Sequence, residues 1–201
     1  MEKIVIGINQ RIPMNMLELA LRASMEEDAT TDYFRELAAM EYNGQNRIGK
    51  TVVVLNRLTK RNPLLPYLLK NKEQVEQMLR NKNDRPLLLT AIICSAYNFG
   101  FDVVTVLGKY FHVQDEITTD LITKKMAEKY GSNRSLPNAL YCILPMLIEA
   151  GLISRPVAGV YKKEGIKNAT EAAIEVFKQS YSLNNPNYAD DLRSPYYEFI
   201  N

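Results

Sequence analysis

Residues 117–163, ITTDLITKKMAEKYGSNRSLPNALYCILPMLIEAGLISRPVAGVYKK, decide how the whole chain is read. The first part places Leu121, Ile122, Met126 and Tyr130 near one helical face and meets Gly131, where a helix is expected to stop. The second part, with Ser135 as its expected cap, repeats Leu136, Ala139, Leu140, Ile143, Leu144, Leu147 and Ile148 at i, i+3, i+4 and i+7 spacing. Gly151 ends it. Two short apolar, β-branched pieces then flank Val157-Ala158-Gly159, the pattern of a small hairpin or wing. A helix pair closed by a wing is the winged-helix plan, whose second helix commonly lies in the DNA major groove.

The same plan also serves as a protein-docking module. On the second helix the period turns Asn138, Tyr141, Cys142, Pro145, Met146 and Glu149 outward, a face without Arg or Lys. Base reading needs guanidinium or amide forks, and only Asn138 offers one. The flanks are better supplied, with Lys124, Lys125 and Lys129 on the first helix and Arg134 in the turn. Arg155, Lys162 and Lys163 stand on the wing. Such residues suit phosphate contacts, which position a protein on nucleic acid without reading its sequence.

Working outward, the N-terminal side reads as helical. Residues 3–8 form an apolar, β-branched arm or single strand without an evident partner. Met14, Leu17, Leu21 and Met25 follow at helical spacing behind Pro13. Further helices are expected over residues 31–42, 47–60 and 73–79, with a short apolar helix or capped turn over 64–69. The third helix, over 47–60, buries Ile48, Val52, Leu55 and Val53, and leaves Arg47, Lys50, Arg57, Lys60 and Arg61 on its other side. Pro86 opens a strongly apolar helix that continues to His112 with a kink expected at Gly100 or Gly108. Ala172, Ala173, Val176 and Phe177 mark one more amphipathic helix over residues 168–181. The aperiodic tail is expected to lie extended on the surface, anchored by Tyr196, Tyr197 and Phe199. The fold class is therefore mainly α: an N-terminal helical bundle over residues 1–112, a winged-helix-like segment with a small β-hairpin over 113–183, and an extended tail over 184–201.

The net charge of +2 conceals an asymmetry. Residues 14–43 hold seven acidic and two basic side chains, whereas residues 44–85 hold ten basic and three acidic. Either two layers pair internally, or one basic face is directed at a polyanion. Cys94 and Cys142 lie in apolar surroundings without metal-spaced partners and read as buried thiols of a reducing compartment. The opening residues are too short for a secretory leader, and residues 86–101 carry too many polar groups for a bilayer span. A cytoplasmic chain without membrane attachment is expected.

Gly44-Gln-Asn-Arg-Ile-Gly-Lys-Thr51 matches the phosphate-loop pattern GxxxxGK[ST]. A phosphate loop follows a buried strand, but the preceding residues 35–42 are charged and helical in period. The octapeptide is accordingly expected to cap the third helix, with nucleotide binding as a third reading. His112 is the only histidine and has no Ser or Cys nucleophile paired with it by pattern. Carboxylates such as Glu26, Glu27 and Asp28 are adjacent along the chain and share no helical face. No catalytic residue, cofactor or metal site is expected.

The order of features resembles a known family. A basic helix of the form Asn46-Arg47…Lys50-Thr51…Leu55…Arg57-Leu58 is followed by an apolar helix running into Tyr97-Asn98-Phe99…Phe101-Asp102-Val103, then by a late Leu147-Ile-Glu-Ala-Gly-Leu-Ile153. Together these resemble the BrxA-type proteins of bacterial BREX phage-defence clusters. The likeness spans about residues 14–153 and leaves out residues 4–8 and the Tyr-rich tail. It implies a helical, DNA-binding accessory protein whose first half looks like the antitermination factor NusB and whose second is winged-helix-like.

The leading expectation is thus a non-enzymatic protein that grips double-stranded DNA by its phosphates, using Arg47, Lys50, Arg57, Lys60, Arg61, Lys124, Lys125, Arg134, Asn138, Lys162 and Lys163. Other defence-system proteins are the further expected partners. The alternative is a protein-interaction scaffold presenting Tyr141, Met146 and the aromatic tail.

Overall fold

The computed structural model describes residues 5–131, 133–187 and 191–200. Residues 5–12 form an irregular arm whose Ile6, Ile8 and Ile12 are buried; residues 3 and 4 of the expected strand lie outside the described part. Helix α1 (Met14–Met25) follows, and its capping partner comes from far along the chain, because the Met14 N–H donates to the Glu149 carboxylate at 3.0 Å. A carboxylate at that end also offsets the helix dipole. Helix α2 (Thr31–Glu41) is capped by the Thr30 hydroxyl, which accepts from the Tyr33 N–H. Gly44, at φ +92°, turns the chain into α3 (Gln45–Leu58).

Short helices α4 (Leu65–Lys70) and α5 (Lys72–Arg80) lead to α6 (Arg85–Ala96). Ten of the twelve residues of α6 are buried, so it is apolar on every side and must be wrapped by other elements. It packs against α3, α5, α7 (Asn98–Phe111), α9 (Leu136–Ala150) and α10 (Glu171–Asn184). The chain breaks between α6 and α7 at Tyr97, whose backbone is extended at φ −137° and ψ 110°, rather than bending at Gly100 or Gly108. The guanidinium of Arg57 lies 4.4 Å from the centre of the Tyr97 ring and its Nε donates to the Ala96 carbonyl at 2.9 Å, which caps the end of α6.

A three-residue strand, β1 (Glu116–Thr118), precedes α8 (Thr119–Tyr130) where helix alone was expected. After α9 come β2 (Ile153–Val157) and β3 (Val160–Lys163), and the antiparallel sheet runs in the order β1-β3-β2. Ile117 faces Tyr161 across the first pairing, and both are buried with Ile153 on the side toward the helices. Helix, strand, two helices and a hairpin in this strand order form a winged-helix-like unit beside a helical bundle. Gly151 closes α9 at φ +88°, with the Leu152 N–H returning to the Leu147 carbonyl.

Several sequence expectations are corrected. Val53 is 68% exposed, and α3 instead turns Thr51, Val54 and Leu58 inward with Ile48, Val52 and Leu55. Ser135 does not cap α9 with its side chain; the Asn133 side chain accepts from the Ser135 N–H instead. Tyr196, Tyr197 and Phe199 do anchor the tail, but they do so from the interior. They belong to a 3-10 turn (Pro195–Phe199) in which Tyr196 stacks on Phe177 of α10, with ring centres 4.3 Å apart. Aromatic area of that size gains more from burial than from lying along a surface. Gly108 admits the turn, since a Cβ there would fall 1.9 Å from the Pro195 carbonyl oxygen.

Candidate nucleic-acid interface

Seven of the eight residues of the phosphate-loop match, 45–51, are helical in α3. Thr51 is buried and its hydroxyl donates to the Arg47 carbonyl at 3.0 Å, so no backbone cradle forms and no hydroxyl is offered to a magnesium ion. The octapeptide begins a helix after another helix, as its flanks imply. Among the described residues no group of three or more His, Cys, Asp or Glu is arranged to hold a metal ion, and no helix is long and apolar enough to cross a membrane.

The basic residues divide by what they already hold. Arg57 caps α6, and the Lys60 ammonium donates to the Ala29 carbonyl at 2.7 Å. Lys125 binds Glu128 at 2.7 Å. Its ammonium is held above the ordinary lysine range by that hydrogen bond first and by the Tyr110 hydroxyl second. Lys162 pairs with Glu116 on the neighbouring strand at 3.0 Å. Lys163 reaches the Glu198 carboxylate at 2.6 Å and also the Glu198 carbonyl. Lys50, Arg61, Lys124 and Arg134 are exposed and make no ion pair among the described residues.

Two of the expected contact residues come together. Arg47, in the first turn of α3, and Asn138, in the first turn of α9, line one cleft of about 260 Å³ with Arg11, Tyr42 and Tyr141. The Arg47 guanidinium lies flat over the Tyr42 ring at 4.2 Å. Beneath it the Tyr42 hydroxyl donates to the Arg11 carbonyl at 3.0 Å, as does the Gln10 side-chain amide. Burial raises the Tyr42 hydroxyl above the ordinary tyrosine range against the lowering effect of Gln10, so it stays a neutral donor. Arg11 binds Glu149, which ties the arm to α9 while leaving nearly half of the Arg11 side chain exposed. The cleft thus brings together two guanidinium groups, with the Glu41 carboxylate also in its lining.

On α9 only part of the expected outward face is free. Asn138 and Tyr141 are exposed, Pro145 and Glu149 half-buried, and Cys142 and Met146 buried. The arm and α1 cover the remainder, because Glu149 is the group that caps α1 and binds Arg11. Burial lifts the Cys142 thiol to about 11, so the cleft presents no thiolate near neutral pH. Met146 is at 0% exposure and Tyr196, Tyr197 and Phe199 are packed inside, so of the docking residues expected only Tyr141 is exposed among those described.

Gln10, Arg11 and Tyr42 belong to the cleft without being marked by periodicity or by a charge run. The polar run Asn9-Gln10-Arg11 directly after an apolar arm was the available signal. No family model, curated protein or solved structure matches the chain.

Proposed function

We propose that this chain is a non-enzymatic DNA-binding protein that grips the phosphate backbone of double-stranded DNA with little reading of sequence. The observation that supports it is the cleft at which Arg47 and Asn138 meet beside Arg11, between the opening turns of α3 and α9. Lys50 follows one turn along α3, and Arg134 stands in the turn before α9. Exposed guanidinium and ammonium groups at helix openings hold phosphates without specifying bases. The resemblance to BrxA-type proteins is the ground for proposing a bacterial, cytoplasmic setting in phage defence, with other defence proteins as partners. Two buried, unbridged cysteines suit such a reducing compartment.

A gel-shift series on a blunt duplex at rising salt tests the reading. Affinity is expected to fall steeply with salt, and Arg47→Glu with Lys50→Glu to weaken binding by about tenfold or more. Absence of binding at low salt, or indifference to the double reversal in a folded protein, would overturn it. Arg57 and Lys60 are unsuitable for this test, since both hold backbone carbonyls.

A further inference from the structure

Tyr141 is 75% exposed on a helix whose other apolar side chains are largely covered. Its ring stands one turn from Asn138, and both line the cleft that holds Arg47 and Arg11. A planar ring with a free face, an amide with donor and acceptor, and two guanidinium groups, that of Arg47 and that of Arg11 beside its partner Glu149, match the parts of a nucleotide, with the Glu41 carboxylate as the one anion among the described lining residues. The ring stacks a base, the amide meets the base edge, and the guanidinium groups meet the flanking phosphates. A paired base inside a duplex exposes no free face, so stacking on Tyr141 needs a nucleotide out of the stack.

Resting on the DNA-binding reading above, we propose that this cleft holds one unpaired nucleotide of DNA, its base stacked on Tyr141 with Asn138 at its edge and its phosphates on Arg47 and Arg11. The preferred ligand is then duplex DNA with a single-stranded end or gap. Intact blunt duplex is held only by phosphate contacts.

Fluorescence anisotropy on two DNAs with equal numbers of phosphates, one blunt and one with a short single-stranded overhang, tests this with the full chain. The overhang DNA is expected to bind about tenfold tighter, the range of one base stacked on an aromatic side chain. Tyr141→Ala should bring the overhang DNA down to the level of the blunt DNA measured with the same variant, whereas Tyr141→Trp should keep the preference. Because Tyr141 is exposed, both variants are expected to keep the wild-type circular dichroism spectrum. Equal binding of the two DNAs, or a preference that survives Tyr141→Ala, overturns the proposal while leaving phosphate-mediated binding intact. Failure of either DNA to bind at low salt removes both readings. Displacement of the overhang DNA by a free mononucleotide at millimolar concentration would show that the cleft serves a small molecule instead, and would also overturn it.

Discussion

Arg57 stands on the solvent side of α3, yet its guanidinium is already engaged with the Ala96 carbonyl and the Tyr97 ring. It also borders the arm, where a Cβ on Gly7 would lie 3.0 Å from its nitrogen. Arg57→Ala is therefore expected to lower unfolding stability by about 1–2 kcal/mol, the worth of a charged hydrogen bond and a cation–π contact. Lys50→Ala, on the same helix with no ion pair among the described residues, should stay within about 0.5 kcal/mol. Urea midpoints of the two variants check this, and equal shifts would contradict the capping role. The charge block was legible in the sequence, but the division of labour inside it was not. The carbonyls that occupy Arg57 and Lys60 lie 39 and 31 residues away along the chain. Tyr141 was legible because it faces outward on a simple helical period, whereas Arg11 is brought to the cleft by Glu149, 138 residues further on.

At the scale of elements, helices of clear period were read with boundaries close to those found, as α1 and α8 illustrate. The elements that escaped are those whose order comes from a neighbour. Strand β1 has three residues and exists only because β3 pairs with it. The closing 3-10 turn has no period, and it is fixed by Phe177, Gly108 and the Glu198 carboxylate. Glu198 binds Lys163 at 2.6 Å and the His112 ring at 3.1 Å. Partial burial alone would raise its carboxyl, but Lys163 first and His112 second outweigh it and hold the group below its ordinary value of 4.5. A folded-state value below the unfolded one contributes stability that is fully present above pH 4.5 and is lost as pH falls through the folded value. Acidification below pH 4.5 should thus loosen the closing turn, and Glu198→Gln should reduce the acid dependence while lowering stability at neutral pH. Tyrosine fluorescence followed during acid titration reads both, and identical acid profiles for the two proteins would contradict the assignment.

Over the whole molecule the buried set runs without interruption from Ile6 in the arm, through α6 and α9, to Phe199. Polar ties follow the same route. Arg85 at the start of α6 binds Glu18 of α1 and the Glu149 carbonyl of α9. The buried Asp84 carboxylate accepts from the Thr170 N–H at 2.8 Å and the Thr170 hydroxyl at 3.0 Å, joining the openings of α6 and α10. Because α6 has no solvent face, the bundle cannot unfold without exposing the surfaces that α9 and α10 share with it. Loss of either side would leave apolar area worth roughly 25 cal/mol per Å² facing water. The two halves are therefore expected to unfold in one cooperative step. The chain has no Trp, so a single Trp can be introduced as a local reporter. Tyr33→Trp reports on α2 and Leu121→Trp on α8, both at half-buried positions. Superimposable urea curves from the two reporters and from far-ultraviolet circular dichroism are the expected result. Separate midpoints for the two reporters would mean that α6 does not couple the bundle to the winged-helix-like unit, and the cleft between α3 and α9 would then lose its rigid frame.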